Sequence, residues 1–341
     1  MDLSGRNEMS IKIVNAGVLT TVQDRGRMAY QRFGFHVSGA MDKRSLELAN
    51  ILLDNVNNEA VLEFCVMGPT IQFARETIIA ITGGDFAPTL NNQPVAMYQA
   101  IQVAKGDVLK FGFIRDGVWG YVSFAGGLDV PEVMGSRSTD VKSELGGLQG
   151  RKLANGDEIK LLGRVTSLPH MESRTLKKPV YKSPSTPIRV VLGPQDDHFA
   201  VNGISSFLST PYSVTSLCDR MGYRLEGEAI AHNELGADII SDGIAYGSIQ
   251  VPSEGQPIVL LADRQTTGGY TKIATVISVD IPTFVQRKTA EQVTFEAVSV
   301  EEAQRLYVEE QKEYQALRTK FSSGKSGGIT GFFRKILRRK A

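Results

Sequence analysis

The sequence predicts a mainly β protein made of two antiparallel β-barrel domains with few helices. Three observations carry that expectation. Short β-branched and aromatic runs recur between Gly, Pro, Asn or Asp. Hairpin-type residue pairs separate them. A proline-rich stretch without apolar periodicity cuts the chain near its middle.

The strand signals, in order, are residues 11–14, 77–82, 108–113, 119–124, 188–192, 248–251 and 258–261. Asn91-Asn92, Gly106-Asp107 and Gly156-Asp157 lie between apolar runs and suit tight reversals, since Gly and Asn accept positive φ and Asp bonds back to the turn. Such short reversals favour barrels or sandwiches over a parallel sheet, which needs long crossovers. Helix is expected in two places. Over 41–54, Met41, Ser45, Leu48, Ala49, Leu52 and Leu53 form one stripe, entered from the Ser38-Gly39 turn, and this helix should cover one end of a barrel. Over 300–321, Ala303, Leu306, Tyr307, Tyr314, Leu317 and Phe321 share a face, with many Glu on the other. Residues 171–187 hold three prolines and four basic residues and read as an extended linker. The expected organisation is an N-terminal barrel at 9–168, a linker at 169–187, a C-terminal barrel at 188–299, a helix at 300–321 and a flexible basic tail at 322–341. A cleft between the barrels is the natural place for a site.

At 341 residues, 42% hydrophobic and 22% charged, the chain can fill two cores. A net charge of +1 leaves no broad basic field, so no nucleic-acid partner is expected. No apolar run is long enough to span a bilayer, and the first residues lack the apolar core of a signal peptide. Cys65 and Cys218 lie far apart in apolar surroundings, as buried thiols of a reducing compartment do. The expected location is the cytoplasm. In the tail, Phe332, Phe333, Ile336 and Leu337 alternate with Arg334, Lys335, Arg338, Arg339 and Lys340. That pattern suits either docking on an anionic surface or a solvated terminus, and membrane contact is not expected.

Several motifs fail on inspection. Gly324-Lys325-Ser326 ends like a phosphate-binding loop, but Thr319 stands where the motif needs Gly. His36, His170, His198 and His232 are scattered, and with two cysteines they offer no metal spacing, so no metal is expected. No Gly-x-Ser-x-Gly run follows a strand signal as a nucleophile elbow would, and there is no Met-Lys-Met biotin segment; ATP or a biotinyl carrier would have to come with another chain.

Two polar knots remain, Thr21-Val-Gln-Asp-Arg-Gly-Arg27 and Leu261-Ala-Asp-Arg-Gln-Thr-Thr-Gly-Gly-Tyr270. With Ser38-Gly-Ala-Met-Asp42, Leu62-Glu63, Gly68-Pro69, Phe124-Ala-Gly-Gly-Leu-Asp129, Gly193-Pro-Gln-Asp-Asp-His-Phe199, Asp219-Arg-Met-Gly-Tyr-Arg-Leu225, Ser241-Asp-Gly243 and Gln250-Val-Pro252, they resemble the family variously called 5-oxoprolinase C-type subunit, KipI antagonist, allophanate hydrolase subunit 2 or biotin-dependent carboxyltransferase. The match in order and spacing runs over residues 11–298. The resemblance implies cyclophilin-like β-barrels, in agreement with the strand reading, and similarity to one half of the carboxyltransferase module of urea carboxylase. It also implies an enzyme subunit. With a KipI-like B-type subunit and a third subunit, such a chain opens 5-oxo-L-proline to L-glutamate at the expense of ATP, which drives hydrolysis of a resonance-stabilised lactam. Two alternatives are a biotin-dependent carboxyltransferase acting on urea or a related amide, and a regulatory binder of a KipI-like protein.

The side chains suggest roles at a shared site. Arg25, Arg27, Arg220 and Arg264 suit bidentate clamping of a carboxylate or phosphoryl group. Asp24, Asp219 and Asp263 stand beside them in sequence, and for any single one mutual charge balance is the favoured reading. Thr266, Thr267, Gly268 and Gly269 could donate to a developing oxyanion or simply form a tight turn. His198 is a candidate general base or a structural histidine. Tyr30 and Tyr270 suit stacking on a planar ring or closing a barrel mouth, and Gln23, Gln250 and Gln265 match an amide face. Asp24, Arg25, His198, Asp263 and Arg264 form the expected catalytic set, and the others form the substrate contacts.

Overall fold

Period-two alternation divides the inner strands of the N-terminal half between two cores. In Val61–Cys65, Leu62 and Phe64 face a core shared with Ile13, Ile71, Phe73 and Ile81, while Val61 faces the opposite way. In Asp116–Phe124, Val122 and Phe124 join the first core, and Trp119 and Tyr121 join the second. That second core continues without a break through Ile188, Val190, Tyr223, Val259, Leu261 and Phe284 of the C-terminal half. The two barrels therefore share one continuous apolar core at their junction.

The computed structural model describes residues 10–55, 58–179 and 186–323; the stretches 180–185 and 324–341, which hold part of the expected linker and nearly all of the expected tail, lie outside the described residues. The N-terminal barrel pairs a seven-stranded sheet, ordered Leu128–Asp129, Glu158–Leu161, Ile11–Asn15, Thr70–Phe73, Val108–Lys110, Thr89–Leu90 and Gln93–Pro94, with a five-stranded one, ordered Leu19–Gln23, Val61–Cys65, Asp116–Phe124, Thr77–Asp85 and Ala100–Val103. The Asn91-Asn92 reversal has both residues at positive φ, 52° and 64°, between Thr89–Leu90 and Gln93–Pro94.

The C-terminal sheet has eight strands, ordered Gln292–Val293, Tyr212–Cys218, Gly222–Glu226, Ile258–Leu260, Ser248–Gln250, Lys272–Val276, Ile188–Leu192 and Phe295–Ala297. Its two edge strands are sequence neighbours across Thr294, so the sheet curls almost shut. A separate two-stranded flap pairs Asp238–Gly243 with Thr267–Tyr270. The protein is mainly β and barrel-like, as the sequence predicts.

Four helices complete the described fold: α1 (Lys43–Leu52), α2 (Val201–Ser209), α3 (Ile281–Val285) and α4 (Val300–Ser323). Asp42 caps α1 by accepting from the Ser45 amide at 2.9 Å and the Ser45 hydroxyl at 2.7 Å. Tyr314, Leu317 and Phe321 of α4 pack on Leu48, Ile51 and Leu52 of α1, whereas Tyr307, expected on that face, is 48% exposed. The linker expectation needs correction over its first half. Arg174 is fully buried, donating to the carbonyls of Pro169 at 2.7 Å and Leu52 at 3.0 Å and pairing with Asp54. That anchor straps 169–175 onto the N-terminal barrel, where Thr175 also bridges to Gln99. Among the described residues, no helix is long and apolar enough to cross a membrane.

Candidate active site at the barrel junction

Segment 31–42 carries the first knot to the second. The Ser38 amide donates to the Ala262 carbonyl at 3.0 Å, Arg220 donates to the Gly39 carbonyl at 2.8 Å, and Gln31 donates to the carbonyls of Ile244 at 2.8 Å and Thr266 at 3.3 Å. Gly26, at φ +100°, allows the turn that aims this segment; a Cβ there would meet Val37 and Ser38 at 2.9 Å.

Several expected site residues are committed elsewhere. The buried Asp24 carboxylate accepts from Gly26 N at 2.8 Å, Arg137 N at 2.7 Å, and the hydroxyls of Ser136 at 2.7 Å and Ser138 at 2.5 Å. It staples the loop after Val133 to the first knot. Arg25 reaches out to Glu47 on α1. Asp219 accepts from the amides of Met221 at 2.8 Å and Gly222 at 3.1 Å and closes a turn. Arg220 is locked between barrels: it meets Asp263 in a bidentate pair at 2.8 and 2.9 Å and also contacts Glu63. Burial works against its charge, yet Asp263 and Glu63 hold Arg220 well above the ordinary guanidinium range. Glu63 also accepts from Met41 N at 2.7 Å and the Tyr121 hydroxyl at 2.8 Å, and so completes a satisfied buried network. The ring of His198 bonds to the Gly236 carbonyl at 3.1 Å, outside both knots.

The second knot differs from expectation in its glycines. Gly268 and Gly269 lie within a flap strand and not at positive φ, so no turn requires them. Gly268 is needed for close approach, since a Cβ would meet the Gln250 amide nitrogen at 2.7 Å and Ile244 at 2.8 Å. Thr267 and Tyr270 are exposed on the flap, Thr266 contributes its carbonyl to Gln31, and Tyr30 packs beside Phe33. Gln250 does meet Gln265, at 3.5 Å, beneath that flap. Buried Lys272 joins them there, paired with Asp242 at 3.2 Å, while Gln195 bonds the Lys272 amide at 3.2 Å.

What remains at the junction is a cluster of incompletely matched polar groups. Arg264 is buried with no carboxylate on it; it donates to the carbonyls of Ile244 at 3.1 Å and Leu261 at 3.2 Å and to Gln31 at 3.3 Å, and burial pushes it below the ordinary range. Its guanidinium lies 5.5 Å from the Tyr246 ring centre, and the Lys43 ammonium lies 4.7 Å from the same centre. Burial, reinforced by Arg264, pushes Lys43 down to about 8. Nearby, fully buried Arg27 donates to the Val133 carbonyl at 3.2 Å and the Ser138 carbonyl at 2.8 Å, while its Nη1 and the Gln23 Oε1 have no partner among the described residues. Burial lowers Arg27, against the pull of Asp140, Asp24 and Asp263. Asp140 in turn holds His36 Nδ1 at 3.0 Å and accepts from the Ser143 amide at 3.1 Å, a dyad that fixes the ring.

A family model described as carboxyltransferase domain, subdomain A and B, matches residues 33–297. The chain belongs to this carboxyltransferase family. The C-type subunit of Haemophilus influenzae 5-oxoprolinase is 36% identical over 300 residues, covering 87% of this chain and 94% of that protein. Its Escherichia coli namesake is 35% identical over 307 residues, covering 90% and 97%. The crystal structure of Kluyveromyces lactis urea carboxylase superposes with a TM-score of 0.83 at 28% identity over 93% of this chain, which spans 30% of that longer chain.

Within this carboxyltransferase fold, sequence reasoning missed Lys43, Tyr246, Gln31, Lys272 and the His36–Asp140 dyad. One signal was present. Lys43 and Arg44 occupy the first turn of α1, where the helix dipole disfavours cations, and only Arg44 is compensated, by Glu310 at 2.8 Å. A cleft of about 390 Å³ between α1, α3 and α4 is lined by Asp280, Glu309, Glu310 and Glu313, and its Arg44 and Arg189 are already paired. A triphosphate does not fit that lining. Among the described residues no group of His, Cys, Asp and Glu could hold a metal ion.

Proposed function

We propose that this carboxyltransferase-fold chain is one component of an ATP-dependent 5-oxoprolinase, which opens 5-oxo-L-proline to L-glutamate together with a KipI-like B-type subunit and a third subunit in the cytoplasm. The observation that carries this reading is the match to 5-oxoprolinase C-type subunits at 36% and 35% identity over 94% and 97% of those proteins. The junction supports it chemically. Among the described residues Arg264 and Lys43 are cations without carboxylates at ion-pair distance, suited to an acidic substrate, and Gln23 keeps an unpartnered amide oxygen. ATP would be bound by the complex and not by this chain alone; the acidic cleft between α1, α3 and α4 does not suit its phosphates.

A second reading rests on the TM-score of 0.83 to urea carboxylase: biotin-dependent carboxyl transfer to urea or a related amide. Reconstitution separates them. The chain, its KipI-like companion and the third subunit are combined, and ATP-dependent glutamate release from 5-oxo-L-proline is measured. Release is expected only from the complete mixture. Full release without this chain overturns the assignment to the complex; no glutamate release, with avidin-sensitive carboxylation of urea in its place, favours the biotin reading.

A further inference from the structure

Lys43 comes from the N-terminal barrel and Arg264 from the C-terminal one, and both cations contact a single aromatic ring. Lys43 Nζ lies 4.7 Å and Arg264 Cζ 5.5 Å from the Tyr246 centroid, and the Tyr246 hydroxyl is pinned to the Met41 carbonyl at 2.9 Å. Among the described residues neither cation has a carboxylate at ion-pair distance. The charged groups facing Lys43 are Arg264 and Arg25, which oppose its charge, and Asp24 and Glu47, which favour it. The favourable pair is already engaged: Asp24 by its two serine hydroxyls and two amides, Glu47 by Arg25 and Arg318. Two unneutralised cations in a desolvated place repel each other and cost folding energy. A fold retains such a pair where a ligand supplies the missing negative charge.

We propose that Lys43 and Arg264, held by Tyr246, form an oxyanion subsite for the carboxylate or phosphoryl group of a small ligand. If the chain serves a 5-oxoprolinase, on which this assignment rests, the ligand group is the carboxylate of 5-oxo-L-proline; the subsite itself stands on the two cations alone. The lowered Lys43, at about 8, fits this arrangement, because an anion placed beside it restores its proton affinity.

The test is NMR titration of the full chain with 13C-labelled lysine side chains, Lys43 being assigned by its loss in Lys43→Arg. Without ligand, Lys43 is expected to titrate at about 8. With 5-oxo-L-proline or inorganic phosphate the midpoint should rise to about 9 or above, a tenfold gain in proton affinity. The neutral lactam 2-pyrrolidinone should leave it unmoved. Arg264→Gln and, separately, Lys43→Gln should weaken the anion at least tenfold by calorimetry. A response to both anions supports the subsite and the carboxylate assignment; a response to phosphate alone supports the subsite and assigns it a phosphoryl group. Lys43 titrating near 10.4 and ignoring every anion overturns it. A subsite that binds anions in a chain whose reconstituted mixture releases no glutamate leaves this inference standing while the 5-oxoprolinase reading falls.

Discussion

Three aspartate–arginine neighbours stand out in the sequence, Asp24-Arg25, Asp219-Arg220 and Asp263-Arg264, and none of them forms an ion pair with its neighbour. All three pairs lie outside the strands, in the connections that follow Gln23, Cys218 and Leu260, where each side chain is claimed by a separate neighbour. Asp263 instead reaches Arg220, and Arg25 reaches Glu47. The residue types of the junction were thus legible, but their pairings were not, because those depend on contacts as distant as Glu63 to Arg220. Arg220→Met should destabilise the protein by about 3–5 kcal/mol in urea melts, since it strands two buried carboxylates. Adding Glu63→Gln and Asp263→Asn should recover much of that loss, and a triple variant as unstable as the single one would refute the structural assignment. Lys43 behaves in the opposite sense. Its folded value of about 8 lies below the ordinary 10.5, so between those values the unfolded chain holds more protons and stability rises with pH. Below about 8 the full penalty stands, at most about 3 kcal/mol. Lys43→Met should therefore stabilise the protein by about 1–3 kcal/mol at pH 7. That gain should shrink towards zero above about pH 10; equal urea midpoints of the two proteins at pH 7 would contradict it.

Elements were legible where pattern and propensity agreed. Ile188–Leu192 and Thr77–Asp85 are rich in β-branched residues, and α1 carries its own cap. Helix α2 was not legible, because Val201-Asn-Gly-Ile-Ser-Ser-Phe-Leu-Ser209 is rich in poor helix formers. It folds through packing: Phe207 stacks on Phe295 with centroids 4.7 Å apart, and Gly203 lets the helix approach Ala231, whose carbonyl a Cβ would meet at 2.3 Å. The strap at 169–175 was hidden for a related reason, since its sequence surroundings read as linker while one arginine does the fastening. Arg174 links the Leu52 carbonyl at the end of α1 to the Phe321 ring of α4, 5.3 Å away. Arg174→Met should cost about 2–4 kcal/mol by leaving buried carbonyls unpaired. Hydrogen exchange should then accelerate selectively over 300–323; uniform acceleration along the whole chain would mean the strap anchors no single element.

At the scale of the molecule, the continuous core across the junction predicts that the two barrels unfold as one cooperative body. The sequence divides at its proline-rich stretch, yet the core does not: Ala40, Met41, Leu46, Val61, Trp119 and Tyr121 pack with the interior of the second barrel. Separating the halves would expose that apolar surface and strand Glu63 away from Arg220. The single tryptophan reports on this directly. Trp119 belongs to the N-terminal barrel, and its indole nitrogen donates to the Tyr223 hydroxyl of the C-terminal barrel at 2.9 Å, which passes a hydrogen bond on to the Val285 carbonyl at 2.9 Å. Its emission should be blue-shifted in the native protein and move red only when the barrels part. Under urea, the Trp119 transition should superimpose on the loss of far-UV circular dichroism, with one midpoint and one slope. Tyr223→Phe should lower both midpoints together, by about 1–2 kcal/mol for the stranded indole donor. A tryptophan transition that completes well before the β signal is lost would show two barrels that separate first and unfold independently, and the junction would then be a docking face rather than part of a common core.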